Sequence, residues 1–176
     1  MAKREANQEL QKRLEDRLRT ARSEGVAASW LALESAGQKF LFPLTHAGEI
    51  FNASPPHAVP YTRSWFLGVV GLRGGVYGVI DFAAFVLGLG PRSKLGGARE
   101  GARLIVLNTV FDVNCALLVD RLAGLRGVDG FSASAPRAES DPSYFGHNYT
   151  DLNGTRWQEI NLQQLAERPE FLAIPA

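Results

Sequence analysis

Residues 68–81 read Gly-Val-Val-Gly-Leu-Arg-Gly-Gly-Val-Tyr-Gly-Val-Ile-Asp. Two apolar runs lie on either side of Arg73-Gly74-Gly75, and glycine supplies the left-handed backbone conformations that tight hairpin turns require. The pattern predicts two antiparallel strands over residues 65–72 and 76–80. The spacing of the elements in and after this hairpin recurs later in the chain.

The same order of elements is predicted twice. After the first hairpin, Asp81 precedes a short apolar run that ends in Gly88, which is typical of a capped helix. In the second half, strands are predicted on both sides of Asn153-Gly154, a pair that favours a type I′ turn, and Asn161 precedes another short helix. Asp81 follows Gly74 by seven positions, and Asn161 follows the second turn glycine by seven. The spacing predicts two related half-barrels.

Two further hairpins are predicted from apolar runs. The first joins residues 30–34 to residues 38–44 across a glycine turn, and Ile50-Phe51 continues this set. The second joins residues 103–108 to residues 114–119. Short apolar runs between turn residues are typical of buried strands. The chain is therefore expected to be mainly β.

The first 25 residues differ in composition from those that follow. Residues 5–24 are dense in Arg, Lys and Glu, carry apolar residues at helical spacing, and precede Gly25, a natural helix stop. A charged N-terminal helix is expected within residues 1–25, and one domain over residues 26–176. A chain of 176 residues suits one domain, or two small barrels that share a core.

Composition and charge exclude several classes of function. A net charge of +1 without a basic tail gives no electrostatic footprint for nucleic acid. The single cysteine, Cys115, cannot form an internal disulfide and fits a reducing compartment. Residues 1–24 lack the apolar core of an export signal, and Arg73 and Asp81 interrupt the most apolar stretch. A cytoplasmic protein without direct membrane insertion is expected.

No sequence motif specifies a metal or nucleotide site. His46, His57 and His147 lack nearby Cys, Asp or Glu residues at ligand spacing, so no metal is expected. Residues 88–94 resemble a phosphate loop in composition but not in spacing, which favours a loop that ends a helix.

Three acidic residues at predicted strand ends need an explanation, because paired carboxylates can act as acid and base. Helix capping, and ion pairing with Arg73 or Arg121, explain Glu49, Asp81 and Asp120 more simply. No Ser-His-Asp or Cys-His order is evident either. No catalytic residue and no cofactor are therefore expected, and the chain is not expected to be an enzyme.

Residues 68–81 closely resemble the signature of CheW-like domains, in which a Gly-Val-hydrophobic-Asn-Leu-Arg-Gly sequence leads to a strand that ends in Ile/Val-Asp. Residues 42–50 and 117–125 resemble the family's two other blocks, and the resemblance spans about residues 30–165. This chain has Gly71 where the family usually has Asn, and Ala47 where Val is common. The tryptophan-containing C-terminal segment and the charged N-terminal helix are similar to the members that serve type IV pilus (twitching) systems.

The resemblance implies both a fold and a role. The fold would be two five-stranded SH3-like β-barrels around a common hydrophobic core, with short helices. The role would be that of a non-catalytic adaptor between the cytoplasmic tip of a chemoreceptor and the regulatory domain of a CheA-like histidine kinase. The partner-binding residues that the resemblance implies are Ala47, Glu49, Gly68, Arg73, Leu104 and Leu125.

Two alternatives stay open at this point. One is an adaptor of a flagellar chemosensory array. The other is a small β-barrel that binds an oligonucleotide or another ligand directly, as barrels of this kind can. Binding of single-stranded nucleic acid requires exposed aromatic residues interleaved with Lys and Arg, and few lysines flank the aromatic residues of the predicted strands.

Overall fold

The computed structural model describes Lys12 and residues 28–92 and 100–176. The helix predicted within residues 1–25 lies outside these ranges, except for Lys12, which is helical. The described chain is mainly β, as predicted. None of the helices in these ranges has the length and apolar character needed to cross a membrane.

The strands in the described ranges are β1 (Ala28–Ser35), β2 (Gln38–Pro43), β3 (Ala47–Asn52), β4 (Phe66–Leu72), β5 (Gly75–Asp81), β6 (Arg103–Leu107), β7 (Cys115–Val119), β8 (Arg121–Gly127), β9 (Phe131–Ala135), β10 (Phe145–Asp151) and β11 (Arg156–Ile160). The α-helices within residues 28–92 and 100–176 are α1 (Phe82–Val86), α2 (Leu162–Ala166) and α3 (Pro169–Leu172). The hairpins β1–β2, β4–β5, β6–β7 and β10–β11 confirm the prediction from sequence. Strands β8 and β9 are not predicted, because their glycines, arginines and serines lack the apolar pattern of a buried strand.

Each half of the chain contributes two strands to the sheet that is built mainly from the other half. One sheet has six strands in the order β8-β1-β2-β11-β10-β9, and the other has five in the order β3-β6-β7-β5-β4. Strand β3 follows β2 in the chain but pairs with β6, and β8 follows β7 but pairs with β1. The expectation that Ile50-Phe51 continues the first hairpin is therefore wrong, because β11 occupies the open side of β2. The two half-barrels are intertwined.

The central strands bury both faces, which divides the interior into separate apolar clusters. In β6, Ile105 and Leu107 belong to a large core to which both sheets contribute, whereas Leu104 and Val106 belong to a cluster within the five-stranded sheet. A third cluster, around Trp157, is formed by residues of the six-stranded sheet. Strands buried on both faces read as continuous apolar runs. The arrangement confirms the expectation of two barrels that share a core, with one of the sheets having six strands.

The two repeats end in the same helix cap. The side chain of Asp81 accepts a hydrogen bond from the backbone N–H of Ala84 at 3.1 Å, and that of Asn161 accepts one from Gln164 at 3.1 Å. Both residues have extended backbone conformations, as N-caps do. The capped helices predicted after β5 and β11 are thus confirmed.

The tips of the two corresponding hairpins differ. The β4–β5 turn is type I′, because Arg73 and Gly74 have φ values of 44° and 79°. The type I′ turn predicted at Asn153-Gly154 is wrong, because only the glycine of that pair has a positive φ. There, Asp151 Oδ1 accepts hydrogen bonds from the backbone N–H groups of Asn153 and Thr155, at 2.9 Å each. Side-chain bonds of this kind compete with the turn that the dipeptide favours.

Candidate partner-binding groove

Arg73 lies at the exposed tip of the β4–β5 hairpin. The two-residue turn pairs Leu72 with Gly75 and places Arg73 in the left-handed backbone region. For a residue with a long side chain this conformation costs roughly 1–2 kcal/mol, and such strain clusters at functional sites. The side chain is 66% exposed. The strands thus hold an arginine out from the barrel at the expense of local backbone strain.

Two residues of β3 contact the Arg73 side chain. Arg73 Nη1 lies 2.9 Å from Glu49 Oε2, and Arg73 Cζ lies 5.7 Å from the ring centroid of Phe51. Strands β3 and β4 lie at opposite ends of the five-stranded sheet, so the ion pair joins the two edges as the sheet closes on itself. The pairing of Glu49 with Arg73 confirms the expectation from sequence. Because both side chains are largely exposed, the pair contributes at most about 1 kcal/mol to stability.

An open groove lies between β3, the β4–β5 hairpin and the end of β6, and we call it the Arg73 groove. It encloses about 230 Å³, less than the roughly 300–1,000 Å³ that is typical of small-molecule sites. Its lining combines apolar side chains with the charged Glu49 and Arg73, and an apolar centre with a polar rim is the usual composition of a protein interface. The residues that line it are Gly48, Glu49, Phe51, Leu72, Arg73, Tyr77, Val106, Leu107, Asn108 and Thr109.

The structure brings only some of the predicted binding residues into this groove. Ala47 and Leu104 are buried in the neighbouring strands β3 and β6, and neither lines the groove. Leu125 lies in β8, opposite Leu31, and therefore belongs to the other sheet. Glu49 and Arg73 are in contact, and Leu125 is separate from them. The binding roles of these residues stay predictions.

Gly68 has a backbone role in β4. Its φ is 132°, and a Cβ atom at this position would lie 2.1 Å from the carbonyl oxygen of His57. His57 and Val69 exchange backbone hydrogen bonds of 2.8 and 2.9 Å, which join the loop after β3 to β4. Any side chain at position 68 would displace this loop. A role for Gly68 in partner binding stays a prediction.

Among the described residues, Arg92 bridges the carboxylates of Asp81 and Asp120. Its Nη2 lies 2.9 Å from Asp81 Oδ1 and 3.0 Å from Asp120 Oδ1. Its Nε and Nη1 reach the second oxygens of the same carboxylates, at 3.0 and 3.1 Å. The side chains of Arg92 and Asp81 are only 13% and 4% exposed. We call this arrangement the Arg92 clasp.

The clasp corrects one part of the expectation from sequence, in which helix capping and ion pairing with Arg73 or Arg121 explain the acidic residues: Asp81 does cap a helix, but the arginine that pairs with Asp81 and Asp120 is Arg92. Arg73 pairs with Glu49, and Arg121 pairs with Glu34. Arg92 follows α1 in a loop, and its partners lie 11 and 28 positions away along the chain. No spacing rule connects residues so placed, so the sequence carries no signal for the clasp.

Burial and hydrogen bonding shift the pKa values of Arg92 and Cys115. Burial alone would lower the pKa of the Arg92 guanidinium, but hydrogen bonds to Asp81 and Asp120 outweigh burial and raise it. Burial raises the pKa of the Cys115 thiol to about 12, so the thiolate is scarce at neutral pH. Within residues 28–92 and 100–176, no three His, Cys, Asp or Glu side chains gather as a metal site would need.

Comparisons with known proteins agree with this geometry. The model of the CheW-like domain matches residues 29–170, which include both sheets and the Arg73 groove. The chain belongs to the CheW-like domain family. It is 27% identical to Protein PilI from Pseudomonas aeruginosa over 157 residues, which cover 88% of this chain and 84% of that protein. The crystal structure of the scaffolding protein TtCheW from Thermoanaerobacter tengcongensis has the same fold, with a TM-score of 0.60 at 17% identity, covering 77% of this chain and 89% of that one.

Proposed function

We propose that this CheW-like protein is a non-catalytic adaptor that couples the cytoplasmic tip of a chemoreceptor to the regulatory domain of a CheA-like histidine kinase. We propose further that it acts in the cytoplasm, in type IV pilus (twitching) signalling. The observation that carries the proposal is the exposed, backbone-strained Arg73 at the rim of the groove. Family membership supports the adaptor role, and the similarity to PilI favours a pilus system over a flagellar array.

The Arg73 groove suits a protein partner for physical reasons. Arginine anchors interfaces because its guanidinium makes several directed hydrogen bonds and stacks on aromatic rings. Phe51 supplies such a ring, and Glu49 restrains the guanidinium, which reduces the side-chain entropy lost on binding. The fitting partner surface places an acidic residue beside an apolar side chain, so that the carboxylate reaches Arg73 while the apolar group contacts the apolar side chains of the groove.

Replacement of Arg73 by alanine tests the proposal. We expect Arg73→Ala to weaken binding to the kinase regulatory domain or to a receptor cytoplasmic fragment at least tenfold, or about 1.4 kcal/mol. Stability should change by no more than about 0.5 kcal/mol, since the side chain is exposed. Arg121→Ala is the matched control, because Arg121 is also exposed and ion-paired but lies in β8 of the other sheet. Isothermal titration calorimetry and thermal unfolding should be measured on the same preparations.

Three results would contradict the proposal. If Arg73→Ala binds both proteins as tightly as the wild type does, the groove is not the binding surface. If Arg73→Ala and Arg121→Ala weaken binding equally, the effect is general electrostatics rather than a specific contact. If the wild type binds neither protein but retains a labelled single-stranded oligonucleotide with strong salt dependence, the barrel is a nucleic-acid module instead.

A further inference from the structure

His46 joins three elements beside the Arg73 groove. It lies in the turn between β2 and β3, and its ring packs edge-on against Phe111 with a centroid distance of 5.3 Å. Its Nδ1 lies 3.2 Å from the backbone nitrogen of Leu162, the first residue of α2. Its backbone carbonyl accepts a hydrogen bond from Asn108 at 2.9 Å. One residue thus connects the β2–β3 turn, the Thr109–Phe111 turn and helix α2.

The Thr109–Phe111 turn forms part of the groove wall. Asn108 caps this turn by accepting a hydrogen bond from Val110 N–H at 3.0 Å, and its side-chain amide donates to the carbonyl of Thr45 at 2.8 Å. Asn108 and the first residue of the turn both line the groove. The position of the wall therefore depends on the β2–β3 turn that carries His46.

The contact between His46 and α2 requires a neutral imidazole. The backbone N–H of Leu162 is a donor, so Nδ1 must accept and the ring proton lies on Nε2. Protonation adds a hydrogen to Nδ1, so that two donors face each other. The first N–H groups of a helix have no partner inside the helix, so the fold offers Leu162 no internal replacement for the lost acceptor.

The surroundings of His46 also oppose its protonation. Burial lowers its pKa below the usual 6.5, and the carboxylate of Glu159 in β11 raises it by a smaller amount. Helix α2 has no acidic residue in its first turn, and the Thr109–Phe111 turn is followed by Asp112. On β3 the nearby charge is Glu49, which pairs with Arg73.

A lowered pKa in the folded protein fixes the direction of the pH effect. As pH falls below about 6.5, the unfolded chain protonates this histidine before the folded chain does. The contribution of neutral His46 to stability is therefore complete above that pH and declines as pH falls toward the folded pKa.

We propose that neutral His46 is a positioning residue for the Arg73 groove, and that its protonation releases α2, loosens the Thr109–Phe111 turn and weakens partner binding. The binding part of this inference rests on the proposed adaptor function. The link between His46 and the turn is a property of the protein alone, and it can be tested without a partner.

Solution NMR on the full chain tests that link. In a titration between about pH 8 and pH 5, the range in which histidine changes charge, the neutral His46 ring should carry its proton on Nε2. The amide signals of Val110 and Leu162 should shift with the same midpoint as the ring, and that midpoint should lie below 6.5. A neutral ring protonated on Nδ1, or amide signals that do not follow the ring, would overturn the inference.

A variant separates His46 from every other titrating group. His46→Asn keeps a side-chain acceptor near the Nδ1 position but cannot titrate, and His147→Asn is the matched control because His147 is exposed on β10. The fall in melting temperature between about pH 8 and pH 5.5 should be smaller in His46→Asn than in the wild type and unchanged in His147→Asn. An equal fall in all three proteins would contradict the inference. If His46→Asn does not fold, the wild-type NMR titration still decides.

The pH dependence of binding tests the consequence for function. Between about pH 8 and pH 5.5 the wild type should lose roughly fivefold in affinity for the kinase regulatory domain, at the low end of coupling between sites, and His46→Asn should lose less. If the wild type binds equally at both pH values while Arg73→Ala still weakens binding, the inference is wrong and the proposed function stands. If the wild type binds no partner at either pH, the proposed function fails, and the NMR titration alone decides whether His46 controls the groove wall.

Discussion

Arg92→Met removes the positive charge that two carboxylates share, and the structure allows its effect to be estimated. The substitution leaves Asp81, 4% exposed, and Asp120, 26% exposed, as like charges at close range. Removing one partner of a fully buried ion pair destabilises a protein by roughly 3–5 kcal/mol. Asp120 keeps partial access to water and accepts a hydrogen bond from the backbone N–H of Ala36 at 2.8 Å. We therefore expect the lower end of that range, about 3 kcal/mol.

Thermal and denaturant unfolding measure this loss directly. In a domain of this size, 1 kcal/mol corresponds to roughly 2–4 °C, so the melting temperature should fall by about 6–12 °C. Arg121→Met is the matched control, because Arg121 is 64% exposed and pairs with Glu34 at the surface. Its expected effect is below about 1 kcal/mol. Arg92→Lys should be intermediate, because lysine keeps the charge but not the planar group that reaches both carboxylates.

A second substitution checks the electrostatic origin of the loss. Combining Arg92→Met with Asp120→Asn removes the repulsion while keeping an oxygen acceptor for Ala36, so the double variant should be more stable than Arg92→Met alone. If Arg92→Met destabilises the protein no more than Arg121→Met does, the clasp is not a buried ion pair in solution.

Three further predictions concern the core, β4 and the N-terminal segment. Cys115, whose thiol pKa burial raises to about 12, should resist a thiol reagent at neutral pH in the native state and react on unfolding; fast labelling of the native protein would show an open site. Gly68→Ala should destabilise the protein by more than about 2 kcal/mol through the clash with the His57 carbonyl. Gly71→Ala, at a position with open space around it, should not, and equal melting temperatures of the two variants would contradict the clash. Deletion of residues 1–24 should leave the cooperative unfolding transition intact, because β1 starts at Ala28. Loss of that transition would show that residues 1–24 belong to the core.

The confirmed features share a local origin. Hairpin turns depend on residues that are adjacent in the chain, so the glycine at each tip and the apolar runs beside it suffice to predict β1–β2 and β4–β5. Helix caps depend on a side chain and a backbone group three residues later, as at Asp81 and Asn161. These contacts do not depend on which other strands pack against them, and the sequence alone therefore predicts them.

The part of the site that sequence reasoning misses depends on long-range contacts. Glu49 and Arg73 are identified from their types and from the family signature, yet the residue that caps the groove wall, Asn108, is not. The sequence excludes His46 as a metal ligand but gives it no other role, whereas its observed partner, Leu162, lies 116 positions away. A spacing rule covers only a few residues of sequence, so it cannot predict contacts between residues that are this far apart in the chain.

By itself, the sequence determined the strand-rich composition, the repeated order of turn, strand, cap and helix, and the exposed arginine at the tip of one hairpin. Only the tertiary structure decided that β3 and β8 exchange sheets, that Arg92 rather than Arg73 or Arg121 pairs with the two aspartates, and that Asp151 reshapes the second turn. The physical reason is the range of the interactions. Backbone propensity and capping act within a few residues, whereas strand exchange and buried charge pairing depend on which distant surfaces exclude water together.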